Sequence, residues 1–138
     1  PYARLSHVGA DRAARHGPGA SAAALETLWN ETGAEAEGTA IITGATGAEP
    51  ATGEERSFLQ AHRAIPVRAT GSRFGHTMEA QFPLGIALAA LSLSKGALFP
   101  PGDSSGTEIA MTAAPAQIVV VGTGHWRGEG MALVEAVS

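Results

Sequence analysis

The sequence predicts an α/β fold: a layered mixed sheet of about five strands with a buried helix laid across one face. Three observations carry that expectation. Segments with strand character and segments with helical spacing alternate along the chain, the order that builds a layered sheet with parallel neighbours. Residues 84–93 hold only Gly85 and Ser92 among apolar side chains, so a helix there has no polar face and calls for cover all round. Residues 118–121, Ile-Val-Val-Val, are the β-branched run of a central strand buried on both faces.

Composition bounds the possibilities. The chain has 138 residues, suited to one domain spanning 1–138 that buries about two-thirds of its unfolded surface. Charged residues make up only 16%, sparse enough to suggest that part of the surface lies against another polypeptide. A net charge of -4 without a basic cluster argues against nucleic acid. There is no cysteine, which removes disulfides, thiolate metal sites and a cysteine nucleophile from the chain. The five histidines show no i,i+4 pairing, so no metal site is expected. The longest apolar run is too short for the ~20 residues a membrane span needs, and the first residues lack a signal pattern. A soluble, cytoplasmic protein is the expectation, with its start at Pro1 reading as a domain boundary.

In chain order, residues 2–9 suit a strand. Gly17-Pro18-Gly19 makes a loop, after which Ser21 can cap a helix over 22–30 that turns Leu25, Leu28 and Trp29 inward. Residues 40–43 form a short strand ending in the turn Gly44-Ala45-Thr46-Gly47. A helix over 54–62 places Phe58 and Leu59 in the core, and 65–69 is the next strand. A glycine-bracketed turn then carries Arg73 and His76 to the start of the apolar helix. Pro83 would clash in a helix interior, so the regular part starts near Phe82 with Pro83 in its first turn. Gly96 stops it after Lys95, and Pro100-Pro101 forbid its resumption. A long loop follows, with a short extended piece at 109–112, then the strand 118–121 and a closing antiparallel strand at 131–137.

Between the last two strands lies Gly122-Thr123-Gly124-His125-Trp126-Arg127-Gly128. A strand followed by spaced glycines invites a dinucleotide-binding reading, but the ten residues after Gly128 leave no room for a crossover helix, a second strand and a ribose-binding acid. His76 is the better site candidate, since backbone N–H groups point outward where the buried helix begins. Against it stands the plainer possibility of a histidine that bonds a turn carbonyl.

The Gly75-His76 dipeptide, the alanine- and leucine-rich helix after it and the terminating G-x-x-x-P-P of 96–101 resemble the C-terminal half of the β-ketoacyl-acyl carrier protein synthases, condensing enzymes of the thiolase superfamily. The resemblance runs over nearly the whole chain with few exact motif matches. The family pattern S-x-K-x-x-x-G-H ends at His76, its lysine falling on Gly71. The family's H-G-T-G-T falls at residues 43–47, with Thr43 in place of the histidine and Glu54 and Glu55 in the helix beyond. Its G-F-G-G-T-N falls near 125–130: Trp126 stands for the phenylalanine that gates the acyl pocket, Gly128 for one glycine, and Glu129-Gly130 for the threonine-asparagine pair. Phe82 and Gly85 stand where the family helix has a glycine and a glutamate.

The resemblance implies a thiolase-like half and decarboxylative Claisen condensation in fatty acid or polyketide biosynthesis. In that chemistry a cysteine accepts an acyl chain, and two histidines donate hydrogen bonds to the malonyl thioester carbonyl as carbon dioxide leaves. It implies His76 as a catalytic donor, Thr43, Trp126 and Gly128 as substrate contacts, and no cofactor. Implied partners are acyl carrier protein thioesters and an N-terminal half or homologous subunit, in a dimer or other oligomer. A non-catalytic partner similar to the chain-length factors of active ketosynthases is the alternative, and an unrelated small α/β binding domain the third.

Overall fold

A computed structural model describes residues 1–14, 16–45, 47–102, 104–124 and 128–137. Five strands form one mixed sheet: β1 (Arg4–Asp11), β2 (Thr39–Thr43), β3 (Val67–Ala69), β4 (Gln117–Thr123) and β5 (Glu129–Glu135), in the order β1-β5-β4-β2-β3. β2 runs parallel to β3 and β4, and β5 antiparallel to β4 and β1. Four helices join them: α1 (Ala20–Thr32), α2 (Ala51–Ala61), the single turn α3 (Gly71–Phe74) and α4 (Gln81–Lys95). The alternating order and the β-branched centre expected from the sequence are both present, with β4 in the middle of the sheet. Among the described residues no helix is long and apolar enough to cross a membrane.

Alternation along each strand divides the core in two. Ile41, Val119, Val121, Met131 and Leu133 face α1 and α2, where they meet Leu25, Leu28, Trp29 and Phe58. Ala40, Ile42, Ile118, Val120, Ala132 and Val134 face the other way, against Ala89 and Leu93 of α4.

Several boundaries differ from the sequence expectation, each for a physical reason. Ser21 does not cap α1: the helix starts at Ala20 after a left-handed Gly19. The cap is the Glu54 carboxylate reaching across from α2, which accepts from Gly19 N at 2.7 Å and Ala22 N at 3.1 Å. An anion at a helix N-terminus satisfies orphan N–H groups and complements the helix dipole, a long-range solution that local capping rules do not see. α2 begins three residues before Glu54 because Glu49 Oε2 accepts from Gly53 N at 3.0 Å. The extended piece expected at 109–112 shrinks to one bridge between Ile109 and Val67. The loop holding it is pinned by Arg68, a buried guanidinium donating to Phe99 O at 2.7 Å, Ile109 O at 2.8 Å and Val67 O at 2.9 Å, as a buried charge requires.

α4 begins at Gln81 with Pro83 in its first turn and ends at a left-handed Gly96, whose N–H bonds Leu93 O. Its cover is one-sided. Gly85, Ala89, Ser92 and Leu93 are buried, whereas Pro83, Ala87 and Leu91 form an exposed stripe, Leu91 at 49%. Burial on all sides is thus not met among the described residues. The sheet takes only one face of a helix that has no polar face to give to water. On the same side of the sheet, Leu5 and Val8 of β1 stand opposite Val134 and Ala132 and are half exposed.

One buried group links α2 to the end of β2. The Thr43 hydroxyl donates to Glu55 Oε1 and accepts from Ala45 N at 3.2 Å. Burial pushes the Glu55 carboxyl up to about 7, with the Thr43 hydroxyl and the Gly44 backbone pulling the other way.

Two outcomes are expected. A Cβ built on Gly85 would lie 2.7 Å from Val120 Cγ1, and a β-branched side chain in a central strand has little room to move. Overpacking of this kind costs about 1–3 kcal/mol against about 1 kcal/mol of helix propensity gained. Gly85→Ala should therefore lower the urea midpoint, and a raised midpoint contradicts the packing described. For Glu55, the unfolded carboxyl loses its proton near the ordinary value of 4.5 while the folded one keeps it to about 7. Stability thus falls as pH rises through that window and levels off above it. The loss is about 3 kcal/mol at 1.36 kcal/mol per unit. Glu55→Gln cannot titrate, so the stability difference between wild type and variant should swing toward the variant by that order between pH 5 and 8. A difference flat across the window would show Glu55 to be ionised throughout.

Candidate functional site

The chain between β3 and α4 is built to project His76. After Ala69 it makes the turn α3, then reverses at Gly75, whose φ of 65° and ψ of -160° suit glycine alone. A 3₁₀ turn at Met78–Ala80 follows and leads into α4. His76 is thereby exposed at the N-terminal end of α4, facing the ends of β4 and β5.

There it lines a cavity of about 440 Å³ together with Gly44, Phe82, Gly122, Gly128 and Glu129. The cavity therefore gathers the end of β2, the start of α4 and the β4–β5 connection, three places far apart in sequence. Asp11, Arg12 and Glu79 add charge to its walls. Glu129 is buried at 3% exposure and stands in register between Asp11 of β1 and Thr123 of β4. Two buried acceptors in the lining residues, Gln81 Oε1 and Thr123 Oγ1, have no hydrogen-bond partner among the described residues. Gln81 itself is oriented by donating its Nε2 to Gly44 O.

The site residues expected from the sequence fall into three groups. His76 and Gly128 line the cavity. Trp126 lies outside the described residues. Thr43, expected at the substrate, is elsewhere: fully buried, outside the cavity lining, with its hydroxyl committed to Glu55. A side chain at the last position of β2 points either to α4 or to α2, and Thr43 shares the α2 face with Ile41. Arg73 is held in the turn, donating to Pro100 O and lying 5.6 Å over the Phe99 ring. It packs the loop and does not line the cavity.

Sequence reasoning missed Gln81, Glu129 and Phe82 as cavity residues. Phe82 had a signal, since its position next to Pro83 fixes it in the first turn of α4, and Gly122 and Gly130 opposite present no side chains. Glu129 had one too, as a carboxylate directly after a glycine turn at the start of a buried strand. Among the described residues no group of three or more metal-ligating side chains is placed to hold an ion.

No protein-family model matches the sequence, and neither does any curated protein. Solved structures do match in fold. The ishigamide ketosynthase/chain length factor superposes with a TM-score of 0.79 at 17% identity, over 99% of this chain and 38% of that one. Ketosynthase twelve of the bacillaene polyketide synthase of Bacillus amyloliquefaciens gives 0.76 at 18% identity, over 99% and 30%. A type II polyketide synthase ketosynthase in complex with its acyl-carrier protein, bound to the hexaketide, gives 0.72 at 15%, over 99% and 39%. The chain thus spans less than half the length of these structures, and it has the thiolase-like fold of ketosynthase domains.

Proposed function

We propose that this chain is the C-terminal half of a β-ketoacyl-acyl carrier protein synthase-like protein and forms one wall of an acyl-thioester cleft. The observation that carries the reading is the cavity itself. In a ketosynthase fold, His76 and the glycine-rich β4–β5 connection line the same space. In this reading the His76 imidazole donates a hydrogen bond to a thioester carbonyl and holds the negative charge that develops there as the adjacent carbon becomes a nucleophile. The acyl-accepting nucleophile lies outside these residues, since the chain has no cysteine and a serine or threonine hydroxyl is weak without an adjacent base. The substrate is delivered by an acyl carrier protein. An N-terminal half or homologous subunit covers the stripe of Pro83, Ala87 and Leu91.

A second reading has an observation of its own. With Thr43 turned toward Glu55, the position that the resemblance assigns to the second histidine donor does not line the cavity. A non-catalytic partner that shapes the acyl tunnel of an active ketosynthase, as a chain-length factor does, needs only the walls.

Two measurements test these readings. Incubated alone with malonyl- or acyl-carrier protein thioesters, the chain should show no acyl shift in intact mass; a stoichiometric shift would falsify the assignment of the nucleophile elsewhere. In the full-length protein, His76→Ala should reduce condensation by about 10²–10³-fold, the usual loss on removing one donor to a developing oxyanion. Condensation by a paired ketosynthase that is insensitive to His76→Ala decides for the non-catalytic reading.

A further inference from the structure

The floor of the cavity is made by an unusual pairing of one large residue with two absent side chains. Gly122 and Gly130 are register partners across the β4–β5 hairpin, on the sheet face that α4 covers. Neither has a side chain, so together they leave a hollow on the sheet surface. Phe82 sits in it. A Cβ on Gly122 would lie 3.0 Å from Phe82 Cδ2, and one on Gly130 3.5 Å from Cε2 and 3.6 Å from Cζ. Contact this close means that the ring rests on backbone, and any larger residue at position 122 would displace it.

Phe82 is also fixed from behind. It packs against the cluster that includes Val120, Ala132 and Ala89, and its backbone is in the first turn of α4 directly before Pro83. A ring held on both sides cannot swing out of the cavity without breaking those contacts. It therefore fills the hollow over the hairpin inside the cavity that His76 also lines, taking space that an apolar chain entering beside His76 would otherwise occupy.

We infer that Phe82 is the specificity-determining residue of the cleft, restricting it to short acyl groups by filling the hollow over Gly122 and Gly130. This rests on the acyl-thioester reading given above. An apolar pocket discriminates chain length by the space available to each methylene, and the penalty for excess length is steric. A smaller side chain at position 82 opens the hollow and extends the cavity along the hairpin.

The test uses the full-length protein and three N-acetylcysteamine thioesters, butanoyl, octanoyl and dodecanoyl, with affinities from titration calorimetry. Wild type should bind the butanoyl thioester at least about tenfold more tightly than the dodecanoyl one, a difference of 1.4 kcal/mol. In Phe82→Ala the ratio should move by about tenfold toward the longer chains. Phe82→Leu keeps an apolar contact with the cluster behind it, so it serves where the alanine variant fails to fold, and a smaller shift in the same direction is expected. A chain-length ratio unchanged in a folded variant, or a wild type that favours the dodecanoyl thioester, overturns the inference and leaves the thioester reading standing. Failure of wild type to bind any of the three overturns both.

Discussion

The close seating of α4 on the sheet is the contact on which the rest of this structure depends. Gly85 lies over Val120 at a distance that admits no side chain, and Ala89 and Ser92 continue the same face with small residues. Such a face lets the helix axis approach the strands closely, so that its first turn reaches the ends of β4 and β5. Phe82 then falls on the two hairpin glycines, Gln81 reaches Gly44 at the end of β2, and the reversal at Gly75 brings His76 round to the same cavity. Raising the helix by the width of a methyl group would loosen every one of these contacts together. The site is in this sense a product of helix packing, and Gly85 shapes it without touching it.

The end of β2 shows how strand pairing decides which side chains reach the cavity and which are buried. The parallel pairing of β2 with β3 and β4 fixes where the strand stops and which face Thr43 presents. The Thr43 side chain is fully buried on that face, and its hydroxyl donates to Glu55. That bond favours the ionised carboxylate, but burial outweighs it and holds the proton on Glu55 to about 7. Thr43 is thus part of a buried polar network that ties α2 to the sheet. Fold and site chemistry are set by different residues, and the first can persist while the second is altered.

Much of the fold was legible in the sequence because its strongest elements carry local signals. The Ile-Val-Val-Val run, the helical spacing of Leu25, Leu28 and Trp29, and the glycine stop at Gly96 each state their structure within a few residues. What was not legible depends on partners distant in sequence. The cap of α1 comes from Glu54 on another helix, so Ser21 drew the attention that a nearby hydroxyl always does. The burial of Glu55, the hold on Arg68 by the carbonyls of Phe99 and Ile109, and the pairing of Phe82 with Gly122 and Gly130 are all long-range facts. Of the residues that line the cavity, His76 was singled out by its place at the start of the buried helix, and Gly128 was implied by the family resemblance. The facing of Thr43 could not be read from the sequence, because strand alternation gives two choices and only the sheet's partners decide between them.

The one-sided cover of α4 connects stability to the site. A helix apolar all round has one face satisfied by the sheet, and its remaining exposed apolar residues, Pro83, Ala87 and Leu91, lie at i, i+4 and i+8. Single apolar side chains on a surface are ordinary; a stripe at helical spacing, beside half-exposed Leu5 and Val8, is the pattern of an interface. The stripe begins at Pro83, the residue next to Phe82. A polypeptide lying along it would press on the outer side of the very turn whose inner side carries the cavity wall. In that arrangement, binding the partner and rigidifying the cavity are one event, since both act through the first turn of α4. Loss of the partner would then be felt at His76 and Phe82 before it was felt in the α1–α2 layer, which packs on the opposite face of the sheet and shares none of those contacts.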